Sequence, residues 1–297
     1  MDERTFTDVD GFEIFYRIWP VADPKAVVVI AHGANEHSAR YGRFATALNA
    51  AGYSAYGIDH RGHGHTAKST GTGVLGKAGG IRLVDDVHQL VELAQSEVPG
   101  KPVVLFGHSM GSIIAQAYAT KHSDALAAYV LCGQPGVLPG VDEFIAGFKS
   151  ALDAGMGDQP VDALSAFNEP FRPSRTEYDW LSRDEAEVDT YIADPLCGDD
   201  APMTFDFMHE MLCLGAPSVE PEHIAHIAHI PVLMITGERD AASNMSAQAR
   251  TLEGRLRQAD LDVTAHYYPE ARHELLNEIN RDDITADVVS WLDQVTG

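Results

Sequence analysis

Residues 102–117 read Pro102-Val103-Val104-Leu105-Phe106-Gly107-His108-Ser109-Met110-Gly111-Ser112-Ile113-Ile114-Ala115-Gln116-Ala117. A short apolar run enters this stretch and a helical pattern, carried on to about His122, leaves it, so a buried strand passes directly into a helix at Ser109. The G-x-S-x-G spacing therefore stands in the context that gives it chemical meaning. Glycines at 107 and 111 suit a turn too tight for a Cβ on either side, with Ser109 at a strained backbone angle and its hydroxyl lifted clear of the sheet edge. The helix that follows points its N-terminus at any negative charge formed there. Ser109 is thus a candidate nucleophile; a plain Ser-Gly turn would leave the second glycine without a purpose.

Working outward, apolar runs at 26–31, 53–58, 127–132, 231–235 and 263–268 read as further strands. Helical patterns at 41–51, 81–98, 243–258 and 283–295 alternate with them, the first ending at Gly52 as a left-handed cap would. Asp10-Gly11 separates two alternating segments and predicts an antiparallel hairpin at a sheet edge. Strands alternating with helices give an α/β fold whose mostly parallel sheet is covered on both faces. Residues 137–224 interrupt the alternation. They carry 19 Asp or Glu against four Lys or Arg, a net −15 of the chain's −23, with nine aromatic residues. That much apolar surface does not belong to a structureless loop. The expected organisation is a core from 1–136 and 225–297, with 137–224 as a helical cap leaving the sheet at the end where α/β folds bind ligands.

The 297 residues hold 45% apolar side chains, ample for a packed core. A charge of −23 repels phosphate backbones and anionic lipid, which argues against a nucleic-acid partner. The longest apolar run, residues 26–31, is far short of a membrane span, and the charged, alternating first residues do not read as a signal peptide. Cys132, Cys197 and Cys213 are too few and too scattered for a disulfide framework, so a cytoplasmic protein is expected.

A serine hydroxyl needs a base, and the base needs a group to orient it. Two downstream segments supply candidates at the carboxyl ends of strands. Gly237-Glu238-Arg239-Asp240 offers Asp240 as orienting acid, with Glu238 as its competitor, and Arg272-His273-Glu274 offers His273 as base. For an oxyanion hole, the Met110 N–H follows the nucleophile, and His32-Gly33-Ala34-Asn35 offers a second amide from Ala34 or, failing that, Asn35.

The pieces His32-Gly33-Ala34-Asn35-Glu36-His37-Ser38-Ala39-Arg40-Tyr41, Asp59-His60-Arg61-Gly62-His63-Gly64, Gly107-His108-Ser109-Met110-Gly111, Asp194-Pro195-Leu196, Gly237-Glu238-Arg239-Asp240 and His273-Glu274 span nearly the whole chain. In this order they resemble the serine hydrolases of the α/β-hydrolase superfamily, within it the monoacylglycerol lipase and lysophospholipase group. The resemblance implies cleavage of a single acyl ester by Ser109, His273 and Asp240, oxyanion donors at Ala34 and Met110, and a helical cap. It also implies a structural role for the turn at 59–66, with Arg61 and its neighbours bonded across to the nucleophile turn. Two departures stand out: Asn35 where relatives usually have Gly, and 269–272 where a Gly commonly precedes the histidine.

Other signals read as decoys. Gly71-Thr72-Gly73-Val74-Leu75-Gly76-Lys77 imitates nucleotide-binding loops, but it follows the turn at 59–66 and not a strand, runs into more loop at Ala78-Gly79-Gly80, and has Ala78 in place of the Ser or Thr that would hold magnesium. A flexible surface excursion is expected there. His223, His226 and His229 recur without Asp, Glu or Cys at metal-binding spacing. The sequence thus points to a serine esterase of medium- or long-chain monoacyl esters, working through an acyl-enzyme without metal or organic cofactor. Its partner is a small-molecule ester, not nucleic acid or an inserted membrane, and its oligomeric state is left open. An amidase or peptidase on the same triad is the alternative, and a non-catalytic binding module a remoter one.

Overall fold

The computed structural model describes residues 1–77 and 79–297; Ala78, on which the comparison with nucleotide loops turned, lies outside the described residues. Asp2–Thr7 (β1) and Glu13–Trp19 (β2) pair antiparallel across the turn at Asp10-Gly11. β2 joins the sheet antiparallel to Ser54–Ile58 (β4), and every later pairing is parallel. With Val27–Ala31 (β3), Val103–His108 (β5), Ala128–Cys132 (β6), Val232–Gly237 (β7) and Val263–Tyr268 (β8), the sheet runs β1-β2-β4-β3-β5-β6-β7-β8.

The continuous apolar reading of the central strands has a simple cause, since both faces are covered. Val27, Val29, Val103 and Leu105 point to one face. There Ile81–Glu97 (α3) and Met110–His122 (α4) supply Leu83, Val87, Leu90, Ile114 and Tyr118, with Ala67–Thr70 (α2) near the sheet edge; Gly42–Ala50 (α1) lies on the opposite face. Val28, Ile30, Val104 and Phe106 point the other way, against Phe44 and Leu48 of α1. Gly52, just beyond α1, has φ +92°, the left-handed value its position calls for.

After β6 the chain leaves the sheet through Val141–Asp153 (α5), Glu185–Ala193 (α6), Phe205–Ser218 (α7) and Pro221–Ile224 (α8), then returns at β7. This is the inserted helical region, and Pro160 with Thr204 makes an isolated bridge within it. Asp184 and Thr204 cap α6 and α7 by accepting from Ala186 N and Phe207 N. Trp180, Leu181, Tyr191 and Cys197 form a small core of its own. In contrast α5 buries no residue completely. The second half closes with Ala247–Gln258 (α9) and Arg281–Thr296 (α10), whose Ile284, Val288 and Trp291 complete the α1 face.

Two expectations need correction. Arg61 does not reach the nucleophile turn. Its fully buried guanidinium bonds to Asp8, to Asp10 at 2.9 Å, to Asp86 at 2.6 Å and to the Leu75 carbonyl, because a buried cation requires carboxylates around it and the β1–β2 turn and α3 provide them. The stretch around 71–77 is not a loose surface excursion either. Leu75 is buried, Gly73 N donates to Gly62 O, and Thr204 Oγ1 donates to Gly73 O, which moors the stretch beneath α7.

Arg61→Leu would leave Asp8 and Asp86 buried without their counter-charge. Urea unfolding is expected to register a loss of about 3–5 kcal/mol. A loss below about 1 kcal/mol would mean that these carboxylates find other partners.

Candidate active site

Ser109 sits between β5 and α4 at φ +51°, ψ −117°, a conformation that side-chain-bearing residues rarely adopt. What holds it there is crowding. A Cβ on Gly107 would lie 2.2 Å from the Gly111 carbonyl oxygen, and one on Gly111 would lie 2.0 Å from the Ala31 carbonyl oxygen. Ser109 N donates to Cys132 O at 2.9 Å, fastening the turn to β6.

Asp240 and His273 meet from separate loops. Asp240 follows β7, is fully buried, and its Oδ1 lies 3.0 Å from His273 Nδ1. The same oxygen accepts from Ala242 N at 2.9 Å, capping a short turn at Ala241–Ser243. Asn244, Met245 and Ser246 then take positive φ, which is why α9 starts at Ala247 and not near Ser243. Glu238, the competitor, faces outward and pairs with Arg250 at 3.1 Å. Among the described residues no hydrogen bond engages His273 Nε2, and His273 and Ser109 both line a cavity of about 490 Å³. Among the described residues no direct hydrogen bond joins the Ser109 hydroxyl to His273; in unliganded sites this contact commonly tightens only with substrate.

Ala34 and Met110 line the same cavity. Among the described residues neither backbone N–H donates to a protein acceptor outside a helix. Asn35 turns instead toward the insert, where its carbonyl accepts from Gly198 N and the Tyr191 hydroxyl at 3.0 Å each. Gly33 packs against the nucleophile, since a Cβ on it would lie 3.2 Å from Ser109 Cβ and 2.7 Å from Glu36 Oε1.

Beneath this floor runs an ionic network of Glu36, Arg40 and Glu274. Glu36 Oε1 accepts from Gly33 N at 2.6 Å and from the Tyr41 hydroxyl at 2.8 Å. Arg40 bonds Glu36 Oε2 and grips both oxygens of Glu274, the residue after His273, at 2.6 and 2.7 Å. Burial, the largest single influence, would raise the Glu36 pKa, but Arg40, His108, His32 and the Gly33 N–H together outweigh it and bring it down to about 2. The Glu36–Arg40 spacing of four residues was the available signal. The tie to Glu274, 234 residues away, had none.

The His273 ring packs against two others, His108 and Trp180, each 4.9 Å away between centroids. Burial, helped by His273, lowers the His108 pKa to about 4, so that ring is neutral near pH 7. For His273 burial also works downward, yet the Asp240 carboxylate, with Glu274 and Glu36 further off, raises its pKa above the usual 6.5.

Among the described residues one group has the makings of a metal site: His37, Asp194 and Cys197, whose donor atoms lie within 4.8 Å of one another. His37 Nε2 and Asp194 Oδ2 are already hydrogen-bonded at 2.9 Å, which links the loop after β3 to the insert. His229, of the other histidine run, is hydrogen-bonded to the Asp260 carbonyl at 3.1 Å.

A strained serine at a strand-to-helix elbow, on this sheet and beneath this insert, defines a serine hydrolase of the α/β-hydrolase superfamily. Residues 22–280 match the family model described as "Serine aminopeptidase, S33". The chain belongs to that family, in its monoacylglycerol-lipase and esterase-like group. It is 32% identical to the monoacylglycerol lipase of Mycolicibacterium smegmatis over 98% of this chain and 96% of that one. It is 30% identical to human monoglyceride lipase over 97% and 89%. Among solved structures, the thermostable carboxyl esterase of Bacillus coagulans, in complex with glycerol, superposes with a TM-score of 0.93 at 27% identity, covering 100% of this chain and 99% of that one.

If His273 must be neutral to accept a proton, activity rises as pH passes upward through its raised pKa. The acid limb of kcat/KM is therefore expected to have its midpoint above 6.5. Asp240→Asn removes the principal raising group, so the midpoint should move to lower pH while the plateau falls by roughly three to four orders of magnitude. An unmoved midpoint would remove His273 from that limb.

Proposed function

We propose that the protein hydrolyses medium- or long-chain monoacyl esters through an acyl-enzyme on Ser109. His273 takes the Ser109 proton as the hydroxyl attacks the ester carbonyl, with Asp240 holding the imidazole by Nδ1. The amides of Ala34 and Met110 receive the oxyanion at the N-terminus of α4. Protonated His273 then gives its proton to the departing alcohol, and water repeats the cycle on the acyl-enzyme.

The observation that carries the substrate reading is the cavity at Ser109. Away from the polar end its wall is made by Ile113, Phe144, Phe148, Leu164, Met208 and Met211. Each methylene of an acyl chain withdrawn from water into such a wall contributes about 0.8 kcal/mol, so binding energy grows with chain length until the cavity is full. Residues 137–224 act in this reading as a cap, with α5 as its outer wall. Phe144 is half exposed yet lines the cavity, which makes α5 the boundary an acyl chain would cross.

Among the described residues no helix is long and apolar enough to cross a membrane. The free thiols of Cys132, Cys197 and Cys213 suit a reducing compartment, and we assign the protein to the cytoplasm. A cap of dense negative charge favours dispersed esters over an anionic lipid surface.

With p-nitrophenyl esters, kcat/KM is expected to climb from about two acyl carbons to a maximum at about eight or more. A monotonic fall along the series would defeat the acyl-cavity reading. Ser109→Ala should lower turnover of every ester by roughly four orders of magnitude or more and abolish fluorophosphonate labelling. Faster turnover of aminoacyl anilides than of octanoyl esters would favour the peptidase alternative.

A further inference from the structure

Trp180, in the insert, packs its ring on His273 with 4.9 Å between centroids and a tilt of 39°. It is only 3% exposed and stands with Ser109 and His273 in the wall of one cavity. Its position is set from several sides. Trp180 N donates to Oδ1 of the fully buried Asn168 at 3.0 Å, and Asn168 Nδ2 donates in turn to the Thr176 carbonyl at 2.8 Å. The Trp180 carbonyl accepts from His273 N at 3.5 Å, and the Phe167 ring lies 5.1 Å from the indole.

Filling space does not account for an indole in this place. Trp180 Nε1 is buried and, among the described residues, has no hydrogen-bond partner, so a donor is withdrawn from water without compensation. A phenyl ring or a leucine would occupy the position without that penalty. What the indole adds is an electron-rich face that attracts a cation within about 6 Å of the ring, most strongly where water is excluded. The cation at hand is His273 itself. In the reaction derived above it is neutral when it receives the Ser109 proton, positive while the oxyanion exists, and neutral again once the alcohol has left.

We propose that Trp180 is a positioning residue of the reaction, whose indole face stabilises His273 in the imidazolium form that lasts only from serine attack to alcohol departure. The inference rests on the reading of Ser109 and His273 given above. The other groups turned toward His273 act by charge. Asp240 Oδ1 lies 3.0 Å from Nδ1, while Glu274 and Glu36 lie further off and are both engaged by Arg40. His108, at the end of β5, is held neutral by burial near pH 7 and adds no repulsion. The Arg272 guanidinium is directed into the insert, donating to the Asp179 and Ser182 carbonyls and lying over the Phe171 ring at 4.3 Å. Trp180 is thus an uncharged contribution made at ring contact, and the insert supplies it.

The test reads the acid limb of kcat/KM for p-nitrophenyl octanoate in Trp180→Phe and Trp180→Leu. Loss of the indole face destabilises the imidazolium both in the free enzyme and in the transition state, so two quantities move together. In Trp180→Leu the midpoint should fall by about 0.5 to 1 in pH and the plateau by about three- to tenfold, with Trp180→Phe between it and the unaltered enzyme. A plateau that falls while the midpoint stays would make Trp180 a spacer and overturn the proposal, as would an unchanged plateau. A second measurement alters no side-chain shape in a way that threatens folding. Replacing Trp19, Trp180 and Trp291 by 5-fluorotryptophan and then 5,7-difluorotryptophan withdraws electron density from the ring faces. The midpoint should step down with each fluorine in the otherwise unaltered chain and stay put in Trp180→Phe, where only Trp19 and Trp291 carry the label. One midpoint throughout the series would overturn the proposal. Ser109→Ala separates the two readings: surviving turnover there sinks the reading of the site, whereas an inactive Ser109→Ala beside Trp180 variants with an unmoved midpoint sinks this inference alone.

Discussion

The first turn of α4 is pressed so closely onto the ends of β3 and β5 that no side-chain carbon fits at Gly107 or Gly111, and everything else at the site is arranged around that approach. It obliges Ser109 to take positive φ, and positive φ turns its hydroxyl out of the sheet. Strain of this kind persists only where the surroundings over-determine it. Here β6 holds Ser109 N, Gly33 sits against Ser109 Cβ, and the helix begins without an intervening residue to relax.

The loops that must face Ser109 are fixed from below by charge. Glu36, Arg40 and Glu274 are all nearly buried, and three desolvated ions are a poor source of net stability. Their value is geometric. The guanidinium spans the loop carrying Ala34 and the loop carrying His273, so both sides of the cavity are set by one planar group with five fixed donors. Glu36 also spends one oxygen on Gly33 N and Tyr41, which sets the direction of the next peptide. Donors aimed in advance need no reorganisation when charge develops, the condition under which an oxyanion site is most effective.

The sequence made legible whatever depends on local pattern. The α4 and β8 boundaries were read correctly because an apolar period and a turn residue bracket each of them, and the glycine spacing around Ser109 announces its own steric cause. Asp240 and His273 stand out as candidates because both follow strands, and strand ends share one edge of a parallel sheet. Partners chosen by three-dimensional charge balance were not legible. Arg61 takes its carboxylates from the β1–β2 turn and α3, and Arg40 takes Glu274 from the far end of the chain. The start of α9 was misplaced because Asp240 caps a separate turn first, a demand made by His273 and invisible in helix periodicity. The stretch at 71–77 looked loose because its glycines suggest freedom, whereas they allow close approach to the insert, as at Gly73 against the Pro202 carbonyl.

The insert is as much a wall of the site as a cover over it. Glu274 N donates to Leu181 O at 2.7 Å, Arg272 Nη1 to Ser182 O at 3.2 Å, and Trp180 presses on His273 from the same segment. Residues 180–182 therefore cannot swing away without disturbing the imidazole. α5 is different, for it buries no residue completely and contributes Phe144 and Phe148 to the cavity from outside. Low burial means a low free energy for local opening, so passage for an acyl chain is easiest at α5. The segment around Trp180 is tied to the loop of His273 and Glu274, whereas among the described residues α5 has no such tie.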